Sequence, residues 1–261
     1  MSPLLRRRRP PRKFSAHNFE LRPGKWSLPG APRIGAEPIS ASYLRTFAQL
    51  CPPPARVADL GCLEGGYSVL LARAGYEVVG IEGQPENFAV CQWVAEQVEL
   101  SNLRFVQDDV RNIGDHGGFD GVLCAGLLYH LDRPVEFLRT LGEVTRRLLI
   151  VSANHATREG REVEVFAPLL AAELTEHEGR LGRWFGEQPG PWSSLGNERS
   201  FWLEKDDLLR TLIAAGFPSV FQQFDWLADA ETSRRLAERM VSVFVALKEP
   251  AQAPTAARNS S

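Results

Sequence analysis

Four acidic residues, Asp59, Glu82, Asp108 and Asp109, stand at or just beyond the ends of short apolar runs, and His130 and His155 follow two further runs. The first run leads into VADLGCLEGGYS (57–68), with glycines at Gly61, Gly65 and Gly66. Glycines after a buried strand let the backbone approach a ligand or take positive φ, and a helix starting near Gly65 would offer free N–H groups to negative charge. Glu82, 23 residues beyond Asp59, closes the second run, where a carboxylate can accept both hydrogen bonds from a ribose diol. In a G-x-G-x-x-G turn the middle glycine admits a pyrophosphate; here Leu63 holds that place. An adenosine group without phosphate therefore fits better than a dinucleotide. A tight structural turn is the alternative use of the same glycines. Of Asp108 and Asp109, placed to accept from an adenine amino group, only one is expected to face a pocket.

The elements that position these residues alternate regularly. ARVADLG reads as a buried strand, YSVLLARAG as a helix, EVVGIEG as a strand, and PENFAVCQWVAEQVEL as a helix with proline in its first turn. NLRFVQDD, FDGVLCAG and RLLIVSAN are expected strands, with the helix RPVEFLRTLGEV between the last two. Such alternation implies a parallel sheet covered by helices on both faces. Residues 156–200, rich in Gly, Pro, Glu and aromatics, break the rhythm and read as an irregular, lid-like insertion. A helix in LEKDDLLRTLIAAGF and strands in SVFQQFDW and MVSVFVALK complete the domain at 37–248, and 249–261 read as a disordered tail.

The 261 residues carry a formal charge of −2, but Arg6, Arg7, Arg8, Arg9, Arg12 and Lys13 give the start of the chain +6, leaving the remainder at about −8. The arm at 1–36 is read as basic and partly disordered, with Phe14, Phe19 and Trp26 packing some of it on the body. Removal of residues 1–13 is expected to leave chemistry on a small molecule intact. No apolar h-region follows the arginines and no apolar stretch of about 18 residues occurs, which favours a soluble, cytoplasmic protein. The four cysteines form no C-x-x-C pair and the histidines no ligand-like cluster, so no metal is expected.

Taken together, VADLGCLEGGYS, VVGIEG, VQDDV and FDGVLCAGLLYHLDRPVEFL resemble the class I S-adenosylmethionine-dependent methyltransferases over roughly residues 40–248. The resemblance implies a Rossmann-like three-layer sandwich with a seven-stranded, mostly parallel sheet whose last strand is antiparallel. It implies S-adenosyl-L-methionine as cofactor, held by Asp59, Gly61, Cys62 and Leu63 of the turn, by Glu82 and Gly83, by Asp108, Asp109 and Val110, and by Ala125 and Gly126. Glu82 would take the ribose hydroxyls, Asp109 the adenine amine, and Asp59 would orient the turn or meet the methionine amino group. Leu63 departs from the family's usual glycine.

His130 and His155 are the candidate bases for methyl transfer to an oxygen, since histidine titrates in the useful range; each has a purely loop-forming alternative. Tyr129, Asn197, Arg199 and Trp202 are candidate acceptor contacts, arginine for a carboxylate and tryptophan for a ring. The expected acceptor is a small molecule of secondary metabolism, methylated on oxygen. GLLYHLDRP with a later AAGF also resembles bacterial transferases that modify the wobble uridine of transfer RNA, which keeps a nucleic-acid acceptor as a rival. A non-catalytic partner subunit that only binds cofactor is a third reading.

Overall fold

A computed structural model describes residues 9–158, 173–224 and 241–248. The expected tail at 249–261, the first eight residues and part of the insertion lie outside the described residues. The chain opens with a small hairpin, β1 (Glu20–Arg22) and β2 (Lys25–Trp26), followed by α1 (Pro38–Leu50), which stops before the prolines at 52–54. Then come β3 (Arg56–Leu60), α2 (Gly66–Arg73), β4 (Glu77–Ile81), α3 (Pro85–Val98), β5 (Leu103–Val106), β6 (Phe119–Ala125), α4 (Pro134–Val144) and β7 (Thr145–Asn154). The remainder comprises β8 (Thr175–His177), β9 (Arg180–Gly186), β10 (Arg199–Leu203), α5 (Lys205–Ala214), β11 (Ser219–Gln223) and β12 (Val241–Leu247).

Seven strands form one sheet in the order β11-β12-β7-β6-β3-β4-β5. β3 pairs in parallel with both β4 and β6, while β12 runs antiparallel between β7 and β11. This is the Rossmann-like sandwich with an antiparallel last strand. Strand order reverses between β3 and β6, and a parallel sheet opens its ligand crevice beyond the carboxyl ends at such a point.

The interior strands are apolar along their length because helices cover both faces. On one side Val122, Cys124, Leu149 and Val151 pack with Leu138 and Leu141 of α4 and Leu208 and Leu212 of α5. On the other, Val57, Leu123 and Ile150 meet Phe47 of α1 and Leu71 of α2. Helix starts follow local chemistry: proline occupies the first turns of α1, α3 and α4, and the Glu204 side chain caps α5 by accepting from the amides of Asp206 and Asp207.

The insertion departs from the expected irregular lid. Its described part is a three-stranded antiparallel sheet, β10-β9-β8, with Arg199–Leu203 paired to Gly182–Gly186. Phe201 N–H donates to the Leu131 carbonyl (2.8 Å) and Trp202 Nε1–H to the Tyr129 carbonyl (2.8 Å), which lays this hairpin on the β6–α4 connection. In the arm, Phe14 and Phe19 are buried with Trp93 of α3, in line with the packing expected of its aromatics, and Arg12, read only as part of a basic start, is ion-paired to Glu64.

Gly142 sits where α4 meets α5, and a Cβ built there would come within 2.0 Å of the Ala215 carbonyl oxygen. Alanine would gain about 1 kcal/mol of helix propensity, but the clash is with backbone and overpacking costs about 1–3 kcal/mol or more. Gly142→Ala is therefore expected to lower the midpoint of thermal unfolding; an unchanged or higher midpoint would show that α5 can retreat freely.

Candidate active site

A cavity of about 600 Å³ lies beyond the carboxyl ends of β3, β4, β5 and β6. Asp59, Gly61, Leu63, Glu82, Gly83, Asp109, Val110, Ala125, Gly126, Tyr129, His130 and Trp202 all line it. The turn between β3 and α2 is shaped by three left-handed residues, Gly61 (φ 61°), Leu63 (φ 54°) and Gly65 (φ 75°). For leucine this conformation costs about 1–2 kcal/mol, so the neighbours must hold it. The Leu63 amide donates to Glu82 Oε2 (2.8 Å), the Gln84 amide to Glu82 Oε1 (2.8 Å), and the Leu63 carbonyl accepts from Cys91 Sγ (3.2 Å). Gly65 has a separate reason to lack a side chain: a Cβ would sit 2.4 Å from the Phe105 ring.

The carboxylates here carry their charge at a cost. Burial pushes the Asp59 carboxyl up to about 7, against two hydrogen bonds from Ser68. Burial also raises Glu82, against the Gln84 and Leu63 amides. Asp109 caps the turn at 110–116 through the Arg111 amide (2.9 Å) and makes a two-oxygen contact with the Arg111 guanidinium.

At the other end of the cavity His130 Nδ1 lies 3.1 Å from Glu187 Oε2. Burial alone would raise Glu187, but the hydrogen bond and charge of His130, together with hydrogen bonds from Ser200 and the Ser194 amide, leave the carboxyl below its ordinary value. Tyr129, pushed up to about 12 by burial, and Trp202 stand beside this pair, with Trp202 stacked on Phe185 at 3.9 Å. The segment from Glu187 to Leu195 forms a strap along the cavity. Its carbonyls are held by Asn87 Nδ2 on Pro191 (2.8 Å), Gln84 Nε2 on Ser194 (3.3 Å) and the Arg111 guanidinium on Leu195 (2.9 Å).

Five expected site residues lie off the cavity wall. His155 is buried under β12, with Nε2 3.0 Å from Ser242 Oγ, because the last residues of β7 still pair with β12. Asp108 turns to Asn112 (2.8 Å) and His116 (2.8 Å), which lower its carboxyl. Cys62 faces inward, its Sγ 3.8 Å from that of Cys91. Arg199 stacks its guanidinium on Trp184 (4.2 Å), and Asn197 donates to the His130 and Arg199 carbonyls. Asn197 thus supports His130 from behind, and an acceptor carboxylate has no Arg199 to meet. Glu187 and Asn87 escaped the sequence reading: the first sits in a Gly/Pro-rich stretch, the second on an ordinary amphipathic helix. The paired apolar runs GRWFG and RSFWL around a turn-rich loop were the available sign of a hairpin.

Residues 57–148 match the model of a family described as "Methyltransferase domain". Among curated proteins, the chain is 32% identical over 105 residues to a ubiquinone biosynthesis O-methyltransferase of Azorhizobium caulinodans, covering 39% of this chain and 41% of that one. It is 29% identical over 106 residues to the O-antigen chain terminator bifunctional methyltransferase/kinase WbdD of Escherichia coli, covering 37% of this chain and 15% of that one. The chain thus spans less than half the length of these relatives. Among solved structures it resembles the N-terminal domain of EvdMO1 with SAH bound, with a TM-score of 0.62, 25% identity and 82% of each chain covered. The chain carries a class I S-adenosylmethionine-dependent methyltransferase domain.

Asp59 gives a pH signature to the ligand-free protein. Its folded-state pKa of about 7 lies above the ordinary 3.8, so its contribution to stability is fully present below pH 3.8 and lost as the pH rises through about 7. Asp59→Asn is expected to raise the thermal midpoint at pH 8 with little change at pH 4, leaving the smaller slope that Glu82 contributes. Equal shifts at both pH values would contradict the raised pKa.

Proposed function

We propose that this methyltransferase moves the methyl group of S-adenosyl-L-methionine to a hydroxyl oxygen of a small, uncharged acceptor, with His130 as general base and Glu187 as its orienting partner. The His130–Glu187 pair on the wall of the cavity that also holds Asp59 and Glu82 carries the reading. Glu82 would take the ribose diol and Asp59 the methionine ammonium, while Asp109, already committed to Arg111, offers its remaining acceptor capacity to the adenine amine.

Displacement at a sulfonium needs the nucleophile in line and close to the methyl; the barrier falls mainly through positioning. The domain supplies that by placing the turn and the β6–α4 connection on opposite sides of the strand switch point. A hydroxyl proton must leave as the carbon–oxygen bond forms. With Nδ1 directed to Glu187, the His130 ring can accept that proton on Nε2, and the carboxylate stabilises the imidazolium that results.

The acceptor end is built from Tyr129, Leu131, Trp202, Pro189 and Trp192, with Glu187 as its charged group. Such a wall favours a flat or ring-shaped neutral molecule and repels an anion. The solved EvdMO1 domain was also obtained in the presence of SAH and D-fucose, with a TM-score of 0.65 and 88% of this chain covered, which supports a hydroxylated small molecule as the class to try first. A match to a 23S rRNA methyltransferase RlmD of Shewanella woodyi covers 21% of this chain and 12% of that one. An RNA acceptor would need a basic surface to offset phosphate charge, and beyond its first 13 residues the chain is net acidic. A purely scaffolding subunit would have no use for a histidine–carboxylate pair in the cofactor cavity.

Labelled S-adenosylmethionine incubated with cell extract and protein should place label in a small metabolite, unaffected by ribonuclease; label lost with ribonuclease would replace this reading by the RNA one. With that acceptor purified, His130→Ala should lower kcat about 100-fold or more while leaving cofactor affinity unchanged. Glu187→Gln should lower kcat less and shift the pH profile; full activity in both variants would remove the base assignment.

A further inference from the structure

Outside the residues already assigned, the cavity wall contains Ala16 and His17 of the N-terminal arm, and of the two only His17 brings a polar side chain. Its placement follows from Glu64, which is fully buried in the glycine turn. The Glu64 carboxylate accepts from the backbone amides of Ser15 (2.6 Å), Ala16 (3.3 Å) and His17 (3.0 Å), from Ser15 Oγ (2.9 Å) and from the Arg12 guanidinium (2.8 Å). These donors outweigh the effect of burial and keep the carboxyl below its ordinary value. A buried carboxylate satisfied this way binds the arm to the turn, since leaving it unpaired would cost about 3–5 kcal/mol. Arg12 continues the link to Asn87 Oδ1 (2.6 Å), and Asn87 in turn holds the strap through Pro191.

Several amides in and before the first turn of α2 that could receive an anion are, meanwhile, already engaged. Gly66 N–H donates to His17 Nδ1 (3.3 Å), the amide and hydroxyl of Ser68 both go to Asp59, and Leu63 N–H goes to Glu82. Three carboxylates, Asp59, Glu64 and Glu82, surround this turn. A ligand that ends in an amino acid finds a partner for its ammonium in Asp59, but its own carboxylate needs a donor among acidic neighbours. With Nδ1 accepting from Gly66, the neutral imidazole carries its proton on Nε2. Burial drives the ring down to about 4, so this neutral form is the one present at pH 7. Tyr67, with ring centroids 5.1 Å away, packs against it edge to face.

We propose that His17, held on the turn by Glu64, binds the carboxylate of the methionine end of the cofactor, donating from Nε2 and relaying the polarity of the α2 N-terminus through Gly66. The arm is thereby a working part of the cofactor site, and cutting the chain after residue 13 would remove the Arg12 anchor. This rests on the S-adenosylmethionine reading above, and the test separates the two.

Calorimetric titration would use S-adenosylhomocysteine and 5′-methylthioadenosine, which shares the adenosine but lacks the amino-acid end. His17→Ala should weaken the first by about 10- to 100-fold, the range for a hydrogen bond to a charged group, and leave the second unchanged. His17→Phe, which keeps a ring against Tyr67 without an N–H, should show the same selective loss. Unchanged S-adenosylhomocysteine affinity in either variant, or equal loss for both ligands, overturns the His17 assignment alone. Failure of the wild-type protein to bind either ligand overturns the cofactor reading, and this inference with it.

Discussion

The burial of Glu82 between two backbone amides is the contact on which the site depends. Its oxygens fix Leu63 from one side and Gln84 from the other, so one carboxylate sets the contour of the turn after β3 and the entry to α3. Without those bonds a leucine at φ 54° would have little reason to stay there. The same contact keeps the carboxylate at the mouth of β4. A sheet with this strand order supplies the crevice, but Glu82 determines its floor.

Charge balance explains why so many unrelated segments converge on this floor. Asp59, Glu64 and Glu82 are all buried, and the fold answers each differently: Ser68 for Asp59, the N-terminal arm for Glu64, and loop amides with Asn87 for Glu82. Among the described residues, only Glu64 of the three is ion-paired, to Arg12. Asp59 and Glu82 are left with pKa values raised by burial, and a cation brought to Asp59 would favour its charged form.

Much of this was legible in the chain. The βαβ order, the apolar strands and the positions of Glu82 and Asp109 follow from periodicity and from where each apolar run stops, because a parallel sheet aligns those ends in space. What was not legible depends on contacts distant in sequence. Arg12 and Glu64 are 52 residues apart and read separately as a basic tail and a turn residue. His130 and Glu187 are 57 apart, with the second hidden in a composition that suggested an irregular lid. His155 misled for the opposite reason: the end of a strand marks a rim position only where no neighbouring strand extends beside it, and β12 pairs with β7 as far as Asn154.

The strap from Glu187 to Leu195 joins the two ends of the cavity in one covalent segment. Its first residue orients His130, and its later carbonyls are tethered beside Glu82 by Gln84, Asn87 and Arg111. On the proposed reading, a displacement large enough to let a nucleoside pass those tethers would also draw the carboxylate away from the imidazole. On that reading, exchange of spent donor and deprotonation of acceptor would be coupled through one segment, the base being assembled only with the strap in place.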